Sequence, residues 1–390
     1  MPTHSGPNTL GESNLVFAYD TGDVKNSYIG EPTTNYLTTA LAPNSATKES
    51  FSGTITENSE IAPDGTLTAH RYQVNSGYNY QVLTIPAYTT ITYSVWIKML
   101  NGVTSTSFGP YIWNYNSPTY GIVARDLSGV SPQWKRMTMT YTTQAHQSSF
   151  GLSYAATNGG MNGTYALWRP QLEYKSNATP FTTGTRSATQ GLLPLIGNST
   201  IDLSNVSFDS SAKIVFDGTN DVISIPTNSV FNTNIFSVES IFKLSTYDNQ
   251  HRTIAARNAS VYSHSNGWWM GTLRNGLGNN NNDFRVFFWG DSSYVTYNTS
   301  SGGNDGRYHH MVISCDGVTV FFYVDGQLAY SASKPSGNLY SSSENILIGQ
   351  SPVGDNWSGT IPVAKIYNRA LTAQEVKQNY QQYKTRFNLS

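Results

Sequence analysis

Cysteine is almost missing from this chain: Cys315 is the only one in 390 residues. No intrachain disulfide can form, and metal sites built on several cysteines are excluded. Charge is sparse too. Asp, Glu, Lys and Arg make up 12 % of the residues and the formal net charge is −1. That balance exerts no long-range pull on nucleic acid or an anionic membrane, and neither is an expected partner. No apolar run approaches the roughly 18 residues of a membrane-spanning helix. The start, MPTHSGPNTLGESNLVFAYD, has no basic stretch followed by an apolar one. No signal peptide is expected, and synthesis in a cytoplasm is. GxSxG and HExxH are lacking, and the glycines of GTLRNGLG are not followed by Lys-Ser/Thr. Nothing here calls for a cofactor or a metal.

Aromatic residues, by contrast, are plentiful at 13 %, with 26 Tyr and 8 Trp. They recur in short segments that alternate with period two. In TTITYSVWIKML (89–100), Ile91, Tyr93, Val95 and Ile97 share one face, and Thr92, Ser94, Trp96 and Lys98 the other. That is the pattern of a half-buried strand. WKRMTMTYTT (134–143) repeats it with Met137, Met139 and Tyr141, and the same alternation assigns Trp96, Trp134 and Trp168 to core packing. Further strands follow at roughly 8–12-residue intervals, the rhythm of antiparallel sandwiches. One helix stands out, LTAQEVKQNYQQYKTRF (371–387), where Thr372 and Glu375 form a capping box. The fold class is therefore all-β: two antiparallel β-sandwiches and a short C-terminal helix.

The polar stretch SNATPFTTGTRSATQ (176–190) marks a boundary. Residues 1–13 read as a flexible or docking arm, 14–36 as a first strand and linker, 37–185 as one sandwich and 186–390 as the other.

In the second sandwich, IVFDGTNDVISIP, FSVESIFKL, GRYHHMVISCDGVTVFFYVDGQ and WSGTIPVAKIYNRALTAQEVKQNY occur in order. Together they resemble the laminin-G-like branch of the concanavalin A-like lectin/glucanase superfamily, with Tyr308 where Trp is usual. NLVFAYDTGDVKNSYIGEPTTNY is similar to the opening of laminin-G-like structural proteins of tailed bacteriophages. There it leads directly into a segment like LLPLIGNSTIDLSNVSF, so residues 37–185 read as an insertion. YSVWIK, WKRMTMTYTT and WRPQLEYKSNATPFTTGTRS within it resemble carbohydrate-binding-module jelly rolls. The resemblance implies a non-enzymatic virion protein, a tail fibre or capsid decoration, exposed on the particle surface. It would dock to other virion proteins through the arm 1–13, form a homo-oligomer, and present sandwich faces to host-surface glycan. A free bacterial lectin and a glycan-cleaving enzyme are the alternatives.

Most residues with chemistry have a structural role in such a fold. Neighbouring His309 and His310 must point to opposite faces of a strand, so they cannot share a metal; one is expected inside and the other in solvent. Cys315 alternates with Met311 and Ile313 as a small hydrophobe. Asp316-Gly317 and Asp325-Gly326 read as turns. Glycoside hydrolysis needs two carboxylates roughly 5–10 Å apart. Glu239 stands alone in its strand, and Asp283, Asp291, Asp305 and Asp355 fall in loops without the required spacing. Asp217, Asn220, Asp221, Asp355 and Asn356 supply only fragments of the six to eight oxygens of a calcium site. The remaining signal is aromatic rings among polar neighbours, on which sugar faces stack. Tyr111, Trp113 and Tyr115 in GPYIWNYNSPTYG, Arg285, Trp289 and Tyr294 in NNNNDFRVFFWGDSSYVTYN, and Trp357 in GDNWSG are the candidate ligand contacts.

Overall fold

A computed structural model describes residues 13–24, 26–37, 48–101, 109–116, 121–126, 129–156, 163–196, 200–203, 206–208, 214–245, 250–258, 266–272, 283–299 and 305–389. The docking arm therefore lies, but for its last residue, outside the described residues, as do Asn279 to Asn282. The chain divides into two compact units, Thr33–Arg186 and a discontinuous one made of Met1–Pro32 and Ser187–Ser390.

In the unit Thr33–Arg186, the strands Lys48–Ile61, Leu67–Thr84, Gly163–Glu173, Thr90–Asn101 and Lys135–Thr142 make one antiparallel layer. Gly121–Arg125, Gly109–Asn114 and Ser149–Ala156 make another. Leu67–Thr84 belongs to both, because its last residues, Tyr80 to Thr84, pair with Ser149 to Ser153. The period-two residues Ile91, Tyr93, Val95, Ile97, Met137 and Met139 are buried against Ile112, Phe150 and Leu152 of the other layer. Trp96, Trp134 and Trp168 do not join this core. They gather with Ala62 and Ala69 in a separate cluster on the opposite face, as the alternation from Val95 and Ile97 demands. Trp134 Nε1 donates to the Ile61 carbonyl at 2.9 Å, and Trp168 Nε1 donates to Thr68 Oγ1 at 3.0 Å.

The discontinuous unit is a sandwich of two antiparallel sheets. The larger has the order Ser207–Phe208, Ile214–Asp217, Ser358–Tyr367, Ile235–Leu244, His309–Asp316, Thr319–Val324, Gln327–Ser333, with Leu15–Asp20 also paired to Ser358–Tyr367. The smaller runs Ile223–Ile225, Ile346–Ile348, Arg252–Arg257, Gly267–Thr272, Phe284–Trp289, Tyr294–Asn298. One hydrophobic core lies between them, built from Phe216, Val238, Ile254, Trp268, Phe288, Ile313 and their neighbours. The helix Ala373–Phe387 covers the outer face of the larger sheet, burying Val376, Tyr380, Tyr383 and Phe387 against Ile241, Val312 and Val363. Thr372 Oγ1 and the Glu375 carboxylate cap its start reciprocally. Two residues distant in sequence close the unit: Arg386 donates from both terminal nitrogens to the two oxygens of Asp20, each at 2.6 Å.

The strand His309–Asp316 sits at the centre of this arrangement. Met311, Ile313 and Cys315 face the core, and burial pushes the Cys315 thiol above its ordinary range. The two histidines do point to opposite faces, but neither is solvated; both are buried. The helix covers the face that alternation alone would leave to water. His309, on the core side, sets Nδ1 2.9 Å from Asp325 Oδ2 and Nε2 3.0 Å from Asp305 Oδ1. Both Asp-Gly pairs are turns. Asp325 (φ 47°) and Gly326 (φ 75°) form a two-residue connection between the paired Val324 and Gln327, the type I′ geometry that suits twisted strands. Asp316 Oδ1 accepts from the Val318 and Thr319 amides, and Gly317 has φ 95°.

Candidate functional site

The smaller sheet has a core face and an outer face, and its sequence assigns residues by parity. In FRVFFW, Phe284, Val286 and Phe288 enter the core, so Arg285, Phe287 and Trp289 point outward. Across the strands, Ala256 pairs with Trp269, Trp269 with Phe287, Phe287 with Thr296, and Trp289 with Tyr294. The outer face thus carries an aromatic row. Phe287 and Trp289 are parallel at 6.0 Å with an interplanar angle of 6°, and Trp269 meets Phe287 edge-on at 5.8 Å. Tyr294 lies over Trp289 with ring centroids 4.3 Å apart. Trp289 is 8 % exposed and Tyr294 55 %. The indole is therefore a backing plate, and the phenol ring is the surface.

Polar groups frame this ring. Arg285 stands half-buried with its guanidinium carbon 4.4 Å from the Phe287 ring centroid, and its Nε donates to Thr296 Oγ1 at 3.1 Å. Burial pushes the guanidinium below its ordinary range, and the Tyr294 phenol opposes that shift. At the other end of the strand, Asp291, Ser292 and Ser293 are exposed, and the Asp291 carboxylate accepts from Asn266 Nδ2 at 2.5 Å. The Ser292 and Ser293 hydroxyls lie 3.1 and 3.2 Å from that of Ser336. The arrangement offers one ring face, one cation and a fringe of donors and acceptors. That is binding chemistry; nothing in it is a reacting pair.

Three of the seven candidates, Arg285, Trp289 and Tyr294, are therefore brought together. Sequence reading missed Phe287, Trp269 and Thr296 beside them, although the alternation of FRVFFW contained Phe287. Trp357 is corrected. It is fully buried in the core, perpendicular to Phe242 at 5.5 Å, and offers no face to a ligand. A tryptophan in a turn-rich context looks exposed, but its amide bonds to the Gly349 carbonyl and it begins the inward run into Ser358–Tyr367.

The candidates in the unit Thr33–Arg186 separate. Tyr111 is 9 % exposed and belongs to the core, so it too is corrected. Trp113 is half-buried against the same core. Only Tyr115, just beyond the strand, presents a surface; it lies on Gly151, where an added Cβ would meet its hydroxyl at 2.9 Å. Tyr80 is tilted beside it at 6.5 Å.

A second polar group lies under the helix, and sequence reading assigned it no role. Glu239 is fully buried. Its Oε1 is 2.7 Å from His310 Nε2, and its Oε2 accepts from the Tyr367 hydroxyl at 3.1 Å and from Asn379 Nδ2 at 3.0 Å. Buried Lys365 stands directly across from it in the strand register. Burial alone would raise the Glu239 carboxyl. The Lys365 charge and the hydrogen bonds from His310 and Tyr367 outweigh it and bring the group to about 2. The sequence signal was Asn379, a polar residue inside the stripe Val376, Tyr380, Tyr383, Phe387.

Comparison with known proteins gives one family match and several distant structural likenesses. Residues 217–377 match a laminin G family model described as the concanavalin A-like lectin/glucanases superfamily. No curated protein matches the chain. Among solved structures, domain 4 of AbnA, a GH43 extracellular arabinanase from Geobacillus stearothermophilus determined with arabinotriose, is 18 % identical with a TM-score of 0.36 over 48 % of this chain and 84 % of that one. The botulinum neurotoxin serotype D binding domain is 15 % identical with a TM-score of 0.40, over 50 % of this chain and 49 % of the toxin domain. The serotype D ligand binding domain in complex with N-acetylneuraminic acid is 15 % identical with a TM-score of 0.37, again over 50 % of this chain and 49 % of that one. The chain thus spans about half of each toxin domain. Residues 217–377 have the laminin-G-type, concanavalin A-like lectin/glucanase fold.

Proposed function

We propose that this chain is a non-enzymatic, lectin-like protein that binds glycan on the outer face of its smaller sheet. The observation that carries the reading is the exposed Tyr294 ring laid on Trp289, with Arg285 against Phe287 on the same sheet face and exposed Asp291, Ser292 and Ser293 just before it in the chain. A sugar stacks its C–H face on such a ring, and its hydroxyls exchange hydrogen bonds with the fringe. The superfamily match supports the reading, because the matched segment contains the whole platform. Its non-enzymatic character is supported by Glu239, whose two oxygens are committed to His310, Tyr367 and Asn379 beneath the helix.

The finer part of the proposal is location. The opening NLVFAYDTGDVKNSYIGEPTTNY resembles tailed-phage structural proteins, and this supports display on a virion surface as a tail fibre or capsid decoration. There the arm 1–13 would dock to other virion proteins, the chain would form a homo-oligomer, and the platform would face host-surface glycan.

A glycan array combined with a reducing-sugar assay tests the function. Binding without sugar release is expected. Sugar release at enzymatic rates would overturn the non-enzymatic reading, and an array with no bound glycan would remove the lectin reading. Imaging labelled chain on intact particles tests the location, and label confined to the particle interior would contradict surface display.

A further inference from the structure

Arg285 stands on the face of the aromatic row without a counter-charge. Its Nε donates to Thr296 Oγ1 at 3.1 Å, and among the described residues that is its one hydrogen bond. The terminal nitrogens, the forked end of the guanidinium, have none. The other described arginines that are buried or half-buried all engage theirs: Arg136, Arg186, Arg252 and Arg257 on carbonyl or hydroxyl oxygens, Arg369 on Glu375 and Arg386 on Asp20. Nor does a described acid stand ready for Arg285. Its cross-strand neighbours are Gly271 and Asn298. Asp283, two residues back, makes no ion pair with it, and neither Asp283 oxygen has a hydrogen-bond partner. The guanidinium carbon lies 4.4 Å from the ring centroid of Phe287, two residues on in the direction of Trp289.

A cation drawn partly out of water is unfavourable unless an anion or a full set of acceptors compensates it. A planar fork of free N–H donors matches the two oxygens of a carboxylate. Contacts run unbroken from this fork to the exposed ring: Phe287 is parallel to Trp289 at 6.0 Å, and Tyr294 lies over Trp289 at 4.3 Å. A sugar stacked on Tyr294 therefore has the free donors on the same face, within the run of one short oligosaccharide. Exposed Asp291 belongs to the turn beyond Trp289, at the other end of Phe284–Trp289. The strand thus carries its cation near one end and an anion past the other. That asymmetry sets the direction in which an acidic chain lies, its carboxylate toward Arg285.

We propose that the glycan bound on this face is acidic: a sugar carboxylate, of the uronic-acid kind, accepts hydrogen bonds from both terminal nitrogens of Arg285 while a ring of the same chain stacks on Tyr294. This rests on the reading of Tyr294 as the sugar platform and names the class of sugar that the platform selects. A neutral glycan stacks on the ring equally well but leaves the guanidinium fork unfilled, so it binds more weakly.

The test is a glycan array in which carboxylated oligosaccharides stand beside counterparts whose carboxyl is reduced to the alcohol, followed by calorimetric titration of the tightest pair into the full chain. The carboxylated member is expected to bind about tenfold or more tightly than its reduced counterpart, as charge-assisted hydrogen bonds allow. The difference should shrink as salt is raised. Arg285→Gln should bind both members alike, with the affinity wild type shows for the reduced one. Arg285→Lys keeps the charge but loses the fork, so its preference should fall between the two; it also supplies the check if Arg285→Gln does not fold. Equal affinity of wild type for the two members would overturn the proposal and leave the lectin reading standing. So would a carboxylate preference that persists undiminished in folded Arg285→Gln. Failure of every oligosaccharide to bind, carboxylated or reduced, would overturn both.

Discussion

Replacing Gly326 by alanine perturbs one atom at a place where two separable penalties meet. Gly326 has φ 75°, in the left-handed region, and an added Cβ would lie 2.9 Å from Cγ of Tyr380 on the C-terminal helix. The left-handed conformation costs a residue with a Cβ about 1–2 kcal/mol. Forcing a methyl against a packed ring costs about 1–3 kcal/mol more. Gly306 supplies the control within the same unit. It has φ 70°, but a Cβ there meets nothing within 4 Å. Gly306→Ala should therefore show the backbone penalty alone, and Gly326→Ala the sum. For a unit of this size 1 kcal/mol moves Tm by about 2–4 °C. Gly306→Ala is thus expected to lower Tm by roughly 2–8 °C and Gly326→Ala by roughly 4–20 °C, read by calorimetry on the full chain. Equal shifts for the two variants would refute the seating of the helix on the Asp325-Gly326 hairpin.

The same unit yields three further predictions. Burial by itself lowers the His309 pKa, but the Asp325 and Asp305 carboxylates outweigh it and hold the group above its ordinary 6.5. The stability this contributes is complete below pH 6.5 and disappears as pH rises through the raised value. Tm of the discontinuous unit should therefore fall on the alkaline side of 6.5, and Asp325→Asn, which keeps an acceptor for the His310 amide, should flatten that slope; an unchanged slope in urea or thermal unfolding across pH would count against the pairing. Arg386→Ala leaves the Asp20 carboxylate buried without its partner, and a loss of about 3 kcal/mol is expected in denaturant unfolding. A loss below a few tenths would show that the two-point clamp contributes nothing. Trp357→Ala should cost about 3–5 kcal/mol as a core truncation, while leaving the glycan affinity of the surviving folded protein unchanged.

Period two makes the fold class legible. Alternation alone assigns Ile91, Tyr93, Val95 and Ile97 to a core face, and all four are buried in it. The Asp-Gly pairs are legible because few residues tolerate positive φ, and the helix because Thr372 and Glu375 announce a capping box. Parity identifies the two faces of a strand but does not say what covers them. That is why one of the two histidines is expected in solvent although both are buried, and why the packing of Trp96, Trp134 and Trp168 is expected but not its place, a small cluster on the opposite face from the main core. The larger sheet's outer face is roofed by a helix from the far end of the chain, a contact with no local sequence signal. Trp357 and Tyr111 fail for the same reason: aromatic rings among Asn, Gly and Ser look exposed until the loop's path is known. Trp289 and Tyr294 meet because adjacent strands joined by a short turn place them opposite each other, a relation local enough to be written in the sequence.

The platform itself is tested most directly by titrating the tightest-binding glycan from the array into wild type and Tyr294→Ala under calorimetry. Tyr294 is exposed and lies on Trp289, so its removal should leave stability within about 1 kcal/mol of wild type, as surface changes do. Affinity should fall by about 2 kcal/mol or more, the cost of truncating a central aromatic contact and roughly a thirtyfold change in Kd. Undiminished affinity in a folded Tyr294→Ala protein would place the glycan elsewhere and contradict the account.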